Sequence, residues 1–503
     1  MLAATHASTL VGLEAHPVQV EVDIARGLPA FDLVGLPEAS VRESRMRVRS
    51  ALEQVGFLIP TRRVTVNLAP ADLRKYGAGF DLAIAVATLA AARECPEEIL
   101  ERWMLIGELS LNGNLRPVRG VLAMVLCARK QGFLGVVVPA ENAAEAAVVS
   151  GLSVRAARSL SEVIAFLRGE YELPTAERVS SAPNESEVVD LSDIRGQHAA
   201  RRALEIAAAG AHNVLFMGPP GGGKTLLAKA MPGILPPLTF DEAIEVTSVY
   251  SVAGMLRGGV SLVERRPFRA PHHTASTVGL VGGGDPPRPG EIALAHHGVL
   301  FLDELPEFSR DSLEALREPL EDGSVTIVRS RVRSTFPARF TLVAAMNPCP
   351  CGYQGDPSDR CDCSAERVKR YRSRVSGPLL DRIDLCVHLP GSPAMVYGEA
   401  PDGPSSQSVR THVSAARDRQ MQREANQRAP NARLTPRALR AVAALEPDAR
   451  GLVTLAAERM GLSARAMTRV LRVSRTIADL EGESSVSAVH VAEAVGYRSM
   501  AQG

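Results

Sequence analysis

The chain has 503 residues, 57 of them basic and 56 acidic, for a formal net charge of +1, and 46% are hydrophobic. That length implies two to four domains with ample core, while the near-zero net charge gives no global pull toward a polyanion, so any such contact must be local. The longest apolar run, Leu82–Ala92, is too short and alanine-rich to span a bilayer, and no basic segment followed by an apolar core opens the chain, which predicts a cytoplasmic protein without a membrane partner.

Residues 1–170 alternate β-like runs (Val18–Ile24, Val64–Leu68, Gly135–Val138) with helix-forming ones (Glu38–Gln54, Asp81–Arg93, Val121–Gln131), the pattern of an α/β domain. Residues 171–190, with Pro174, Ser180, Ser181, Pro183 and Asn184, read as an acidic linker. Seven acids and one arginine fall between 170 and 193.

A P-loop module is predicted over 191–392. Gly218-Pro219-Pro220-Gly221-Gly222-Gly223-Lys224-Thr225 is a complete G-x-x-x-x-G-K-[ST] loop, preceded by the short, largely apolar run Asn213–Met217 and followed by helix-forming residues. The glycines let backbone N–H groups turn inward around a triphosphate at a helix N-terminus. Lys224 would reach the β- and γ-phosphates and the Thr225 hydroxyl would hold Mg²⁺, making this an ATP-binding protein. The chain has five lysines against 52 arginines, so a lysine at the one position that requires it carries weight.

Two histidine pairs follow, His272-His273 and His296-His297. Adjacent residues of an extended segment point to opposite faces, so neither pair is a ready chelate, and hydrogen-bonded structural roles are expected. Val299–Leu302 reads as a strand covered on both faces. It ends in Asp303, placed to hold the Mg²⁺ water shell, and Glu304, placed to polarise an attacking water. Arg329, Arg331 and Arg333 are spaced by two, which on one strand would set all three on one face, either gripping phosphates or guarding a sheet edge. The strand Phe340–Ala345 leads to Asn347, whose amide can bond the γ-phosphate or the lytic water.

Four of the seven cysteines crowd into 349–363 as Cys349-x-Cys351 and Cys361-x-Cys363. Four thiolates on a turn-rich loop can complete a tetrahedral site suited to a structural Zn²⁺; free thiols or a redox pair are the alternatives. Arg382 sits between Asp381 and Asp384. It could stabilise charge at a neighbouring subunit's γ-phosphate, or form an ion pair with either acid. After a Pro/Ser/Gly break at 390–408, residues 405–480 carry 14 arginines and six acids with helical periodicity. This C-terminal segment, 393–503, reads as a helical lid. Arg465 in Ser463-Ala464-Arg465 could reach the nucleotide, with Arg469 as its competitor.

Taken together, these residues resemble the ComM/YifB group of Mg-chelatase-like AAA+ ATPases over nearly the whole length. The resemblance rests on Gly218–Thr225 as Walker A, Val299–Glu304 as Walker B, Asn347 as sensor 1, Arg382 as arginine finger and Arg465 as sensor 2. Phe268–Thr274, Pro289–Ile292, Asn347–Gly352, Gly27–Asp32 and Val34–Pro37 add to it. Residues 1–170 resemble the proteolytic domain of the Lon family through Lys75–Asp81 and Leu109–Leu122. Gly79 aligns with the nucleophilic serine and Leu122 with the lysine, so the catalytic dyad is missing and a scaffold or DNA-binding role is implied. The resemblance implies a ring, expected to be a homohexamer, that hydrolyses ATP with Mg²⁺ and migrates single-stranded or branched DNA in homologous recombination during natural transformation. Recombinase proteins are candidate partners. A remodelling chaperone or a metal-chelatase motor subunit acting on protein is the runner-up.

Overall fold

The computed structural model describes residues 1–59, 61–179, 189–256, 259–329, 332–355, 360–390, 403–424 and 428–499. Two sheets organise this mixed α/β chain. The first has seven strands in the order Ala30–Val34, Arg63–Ala69, Glu14–Ala25, Leu2–Val11, Trp103–Leu105, Gly135–Pro139, Ser153–Ala157. Its centre is an antiparallel pairing of Leu2–Val11 with Glu14–Ala25. Against that ribbon lies the helix Asp81–Ala91, all of whose residues are buried. The eleven-residue apolar run is therefore the core of the first sheet. Leu122 is buried in a neighbouring apolar cluster, and a side chain at Gly79 would meet only Val118.

The segment read as a linker begins later than its composition suggests. Leu173 is fully buried, the Ala156 N–H donates to the Pro174 carbonyl and the Ala176 N–H to the Val154 carbonyl, so these residues extend the edge of the sheet. Residues 180–188, which carry much of the linker's charge, lie outside the described residues.

The second sheet is parallel throughout, in the order Phe268–Arg269, Val299–Leu302, Thr341–Met346, Val214–Met217, Leu385–His388. Its middle strands are buried on both faces, as their unbroken apolar character requires. Five longer helices follow: Ser406–Met421, Pro436–Val442, Pro447–Met460, Ala464–Glu481 and Ala488–Ser499. Pro436 and Pro447 open helices rather than break them, since a first-turn N–H needs no partner. Val409, Val413, Val470 and Ile477 join Ala203, Ala207 and Phe216 in one core, so the C-terminal helices are fastened to the second sheet.

The two bodies share a junction. The helix Phe240–Ala253 lies against Val121–Gln131. Gly120 donates its N–H to the Ser251 carbonyl at 3.2 Å, and Ser251 Oγ donates to Glu145 at 2.6 Å. Burial pushes the Glu145 carboxyl up from its ordinary value, opposed by hydrogen bonds from Ser251 and Asn142. Met104, Val121 and Val125 form one apolar cluster with Ala243 and Leu262 across the same boundary.

Candidate functional site

Parallel strands bring their C-terminal ends to one edge of the sheet, and the chemistry collects there. Gly218 follows the strand Val214–Met217, Asn347 follows its neighbour Thr341–Met346, and Asp303-Glu304 follow the next strand, Val299–Leu302. The helix after the phosphate loop starts at Lys224, with Gly223 as its N-cap at φ +83°. Gly221 is also left-handed, at φ +78°, and open space lies where either would carry a Cβ, as a phosphate cradle requires.

Lys224 Nζ donates to the carbonyls of Gly218 at 2.7 Å and Pro219 at 2.9 Å, and to Asn347 Oδ1 at 3.1 Å. Burial lowers its ammonium pKa, while Asp303 and Glu304 work to raise it. Thr225 Oγ1 donates to Asp303 Oδ2 at 2.9 Å. The two oxygens expected to share Mg²⁺ are thus already adjacent, and a hydroxyl with a carboxylate is a donor set that suits this hard cation. Through the adjacent Lys224 and Thr225, three distant stretches of chain, at Gly218, Asp303 and Asn347, are brought together.

Glu304 adopts a left-handed backbone, φ +52°, which is unusual for a residue with a side chain. Its Oε2 lies 3.1 Å from His273 Nδ1. Sequence reasoning missed this partnership because 31 residues separate the two and a histidine pair has no intrinsic signature. His272 bonds locally to Thr274 Oγ1 at 2.9 Å. The other pair is structural as expected: His296 and His297 Nε2 lie 2.8 and 3.0 Å from Glu245. Those three side chains are close enough to share an ion. However, His296 Nδ1 accepts the Arg339 N–H at 3.0 Å, so its proton sits on Nε2 and no lone pair remains there for a metal.

Arg382 and Arg465 are brought together, at the opposite edge of the sheet. Asn213, just before the strand Val214–Met217, bonds the Arg382 carbonyl through Nδ2 at 2.9 Å. From there to Gly218 is about 16 Å of extended chain. Both arginines line a cavity of about 770 Å³ that also contains Arg433, Arg469 and Arg472 and no residue of the phosphate loop. Neither acid beside Arg382 is its partner. Arg382 pairs with Glu321 and donates to the carbonyls of Arg317 at 3.1 Å and Pro378 at 2.8 Å. Buried Asp384 lies instead near His212 and Arg469, at 3.4 and 3.8 Å.

The basic stretch differs from its predicted form. Ser324–Arg329 and Val332–Pro337 are two antiparallel strands of a hairpin, so the three arginines do not line one strand face. Arg329 ends the first strand, Arg331 lies outside the described residues, and Arg333 is exposed opposite Val328. Reversal is favoured because Val325, Ile327 and Phe336 can then be buried together.

The four cysteines converge. Sγ separations are 3.3 Å for Cys349–Cys351, 3.7 Å for Cys349–Cys361 and 3.6 Å for Cys351–Cys361, and all four ligand atoms, Cys363 included, lie within 4.8 Å of one another. The edge of a tetrahedral zinc–thiolate site is about 3.8 Å. Burial raises the Cys349 thiol pKa, but hydrogen bonds from Cys351, Gln354, Cys361 and Gly352 outweigh it and draw the value down to about 7.

Among the described residues no helix is long and apolar enough to cross a membrane. Residues 190–396 match the family described as magnesium chelatase, subunit ChlI, residues 20–142 match subunit ChlI of Mg-chelatase, and residues 403–498 match the ChlI C-terminal family. The chain is 45% identical to the uncharacterized protein YifB of Salmonella typhimurium, covering 99% of this chain and 97% of that one. It is 46% identical to the competence protein ComM of Haemophilus influenzae, covering 99% and 98%. A 181-residue match to a Lon protease of Mycolicibacterium smegmatis is 26% identical and covers 33% of this chain and 23% of that one.

Proposed function

We propose an ATP-driven DNA motor, from the premise that this chain belongs to the ComM/YifB family of magnesium-chelatase-like AAA+ proteins. One observation carries the reading. The groups that would bind and cleave ATP meet at one edge of the second sheet, while the two arginines that would stabilise the leaving phosphate line a separate cavity at the other. Cleavage then occurs where one subunit's phosphate loop meets the arginine face of the next, a head-to-tail contact that a closed ring repeats at every subunit, and the ring is read here as a homohexamer. Lys224 holds the β- and γ-phosphates, Thr225 and Asp303 hold Mg²⁺, Glu304 activates water and Asn347 orients it. Arg382, with Arg465 from the helical lid, acts across the interface. The four thiolates hold one structural Zn²⁺.

Residues 1–170 are read as a Lon-like scaffold without a nucleophile. The substrate is read as single-stranded or branched DNA, moved by branch migration in recombination during transformation in the cytoplasm, with recombinase proteins as partners. The 324–337 hairpin would contact phosphates through Arg329, Arg331 and Arg333. Replacing all three by Ala should weaken DNA binding equally for different sequences and flatten its salt dependence, because phosphate contacts carry no base information. ATP turnover without DNA should persist and its stimulation by DNA should fall. Unchanged affinity and salt slope in an assembled variant would remove the hairpin from the DNA path, and stimulation by unfolded protein instead of DNA would overturn the motor reading.

A further inference from the structure

The loop that carries the four cysteines touches the phosphate loop. Gly352, next to Cys351, is buried and left-handed at φ +88°, and its N–H donates to the Cys349 carbonyl at 3.0 Å. A Cβ at this position would sit 2.7 Å from Pro220 Cδ, 2.9 Å from Pro220 Cγ and 3.7 Å from Asn347 Cγ. Only glycine fits, for its backbone and for its surroundings. On the opposite side Gly218 is equally close to its neighbour, since a Cβ there would meet the Leu389 carbonyl at 2.7 Å. The phosphate loop is thus held between the strand end at Leu389 and the cysteine loop at Gly352. Arg372 Nε ties the base of the cysteine loop by donating to the Pro348 carbonyl at 3.2 Å.

We infer that the zinc-closed cysteine loop is a brace on the nucleotide site: with the metal bound, Gly352 is pressed against Pro220 and Asn347, and metal occupancy sets the affinity for ATP. This rests on the reading of Cys349, Cys351, Cys361 and Cys363 as a zinc site. The loop joins two C-x-C arms across nine residues. Four converging thiolates repel one another unless a cation neutralises them, so loss of zinc releases the arms and the contact they carry. Gly352 is a positioning residue; it has no group to offer the nucleotide.

The test uses the full chain, a fluorescent ATP analogue and zinc itself. Protein purified anaerobically should contain one zinc per chain. Removing it with a mercurial thiol reagent and a chelator, then regenerating the thiols, should weaken nucleotide binding about tenfold or more, the scale of a misplaced binding group. Zn²⁺ should restore affinity where added Mg²⁺ does not. Gly352→Ala should keep its zinc, bind the analogue similarly weakly, and lose little more when stripped. No zinc in the purified protein overturns the metal reading and the brace with it. Zinc present, with affinity unmoved by stripping and by Gly352→Ala, overturns the brace alone. If Gly352→Ala does not fold, the strip-and-reload titration decides.

Discussion

The two ends of the parallel sheet are built differently. At the C-terminal end, Lys224 bonds Asn347 and Thr225 bonds Asp303, so one chain assembles that half of the candidate site. At the N-terminal end, Arg382 and Arg465 line a cavity without any phosphate-loop residue, and the Arg382 guanidinium is engaged by Glu321 and the carbonyls of Arg317 and Pro378. One half is complete alone. The other is held by Glu321 and two carbonyls, and under the proposal its phosphate comes from a neighbouring subunit. The contrast teaches where the proposal can be attacked: under it, association and catalysis are one problem.

The largest effect should come from breaking the arginine half. Arg382→Ala should bind ATP normally but hydrolyse it about a thousandfold more slowly, the scale of a lost arginine finger. Mixing it with Lys224→Ala protein should restore turnover, because mixed rings contain interfaces that join an intact phosphate loop to an intact arginine. A flat response across all mixing ratios, with mixed rings confirmed by native mass spectrometry, would place Arg382 outside the interface.

Breaking the self-contained half should look different. Glu304→Gln should slow hydrolysis about a hundredfold or more while leaving ATP affinity intact and trapping the loaded ring, because the Mg²⁺ ligands survive and only water activation is lost. No mixing partner should rescue a mutant subunit's own site. Wild-type turnover would dismiss Glu304 as the base.

His273 sharpens the comparison, since at the same end it lies 3.1 Å from Glu304, the proposed base. His273→Ala should lower kcat about tenfold with little change in the KM for ATP, the signature of a mispositioned base. A change confined to KM would make the contact incidental. The smallest effect concerns the ion pair that holds Arg382. Glu321 is largely exposed, so its ion pair with Arg382 is worth little, about 1 kcal/mol at most. Glu321→Gln should raise basal turnover a few-fold by freeing the guanidinium, and unchanged or lower turnover would argue that Glu321 helps to aim it.

Legibility in the sequence followed the same division. Gly218–Thr225 are contiguous, and Asp303, Glu304 and Asn347 sit at the ends of strongly apolar strands, so local pattern sufficed to place them. Contacts between distant segments were not legible: His273 with Glu304, Arg382 with Glu321, or Gly352 with Pro220. That Arg329 and Arg333 fall on two strands of the hairpin implied by the resemblance was hidden for a local reason. Val328-Arg329-Ser330-Arg331-Val332 has no glycine, asparagine or proline to announce a turn, and a run of alternating basic residues looks like one strand. Similarly, acidic composition hid the pairing of Thr175 with Arg155, because backbone bonds at a sheet edge are indifferent to side-chain charge.

The helix Phe240–Ala253 carries in its last turn Ser251, which holds buried Glu145, and the cluster around Val121 and Ala243 continues across that boundary. This has a practical meaning for dissecting the protein. Severing the chain between residues 179 and 189 would leave each fragment with a freshly exposed oily face, and the first with a carboxyl stripped of its hydroxyl donor. Such fragments should be sticky and short-lived, and co-expressed they should find each other again. An apparent lack of activity in either piece would therefore report a torn seam rather than a misplaced function.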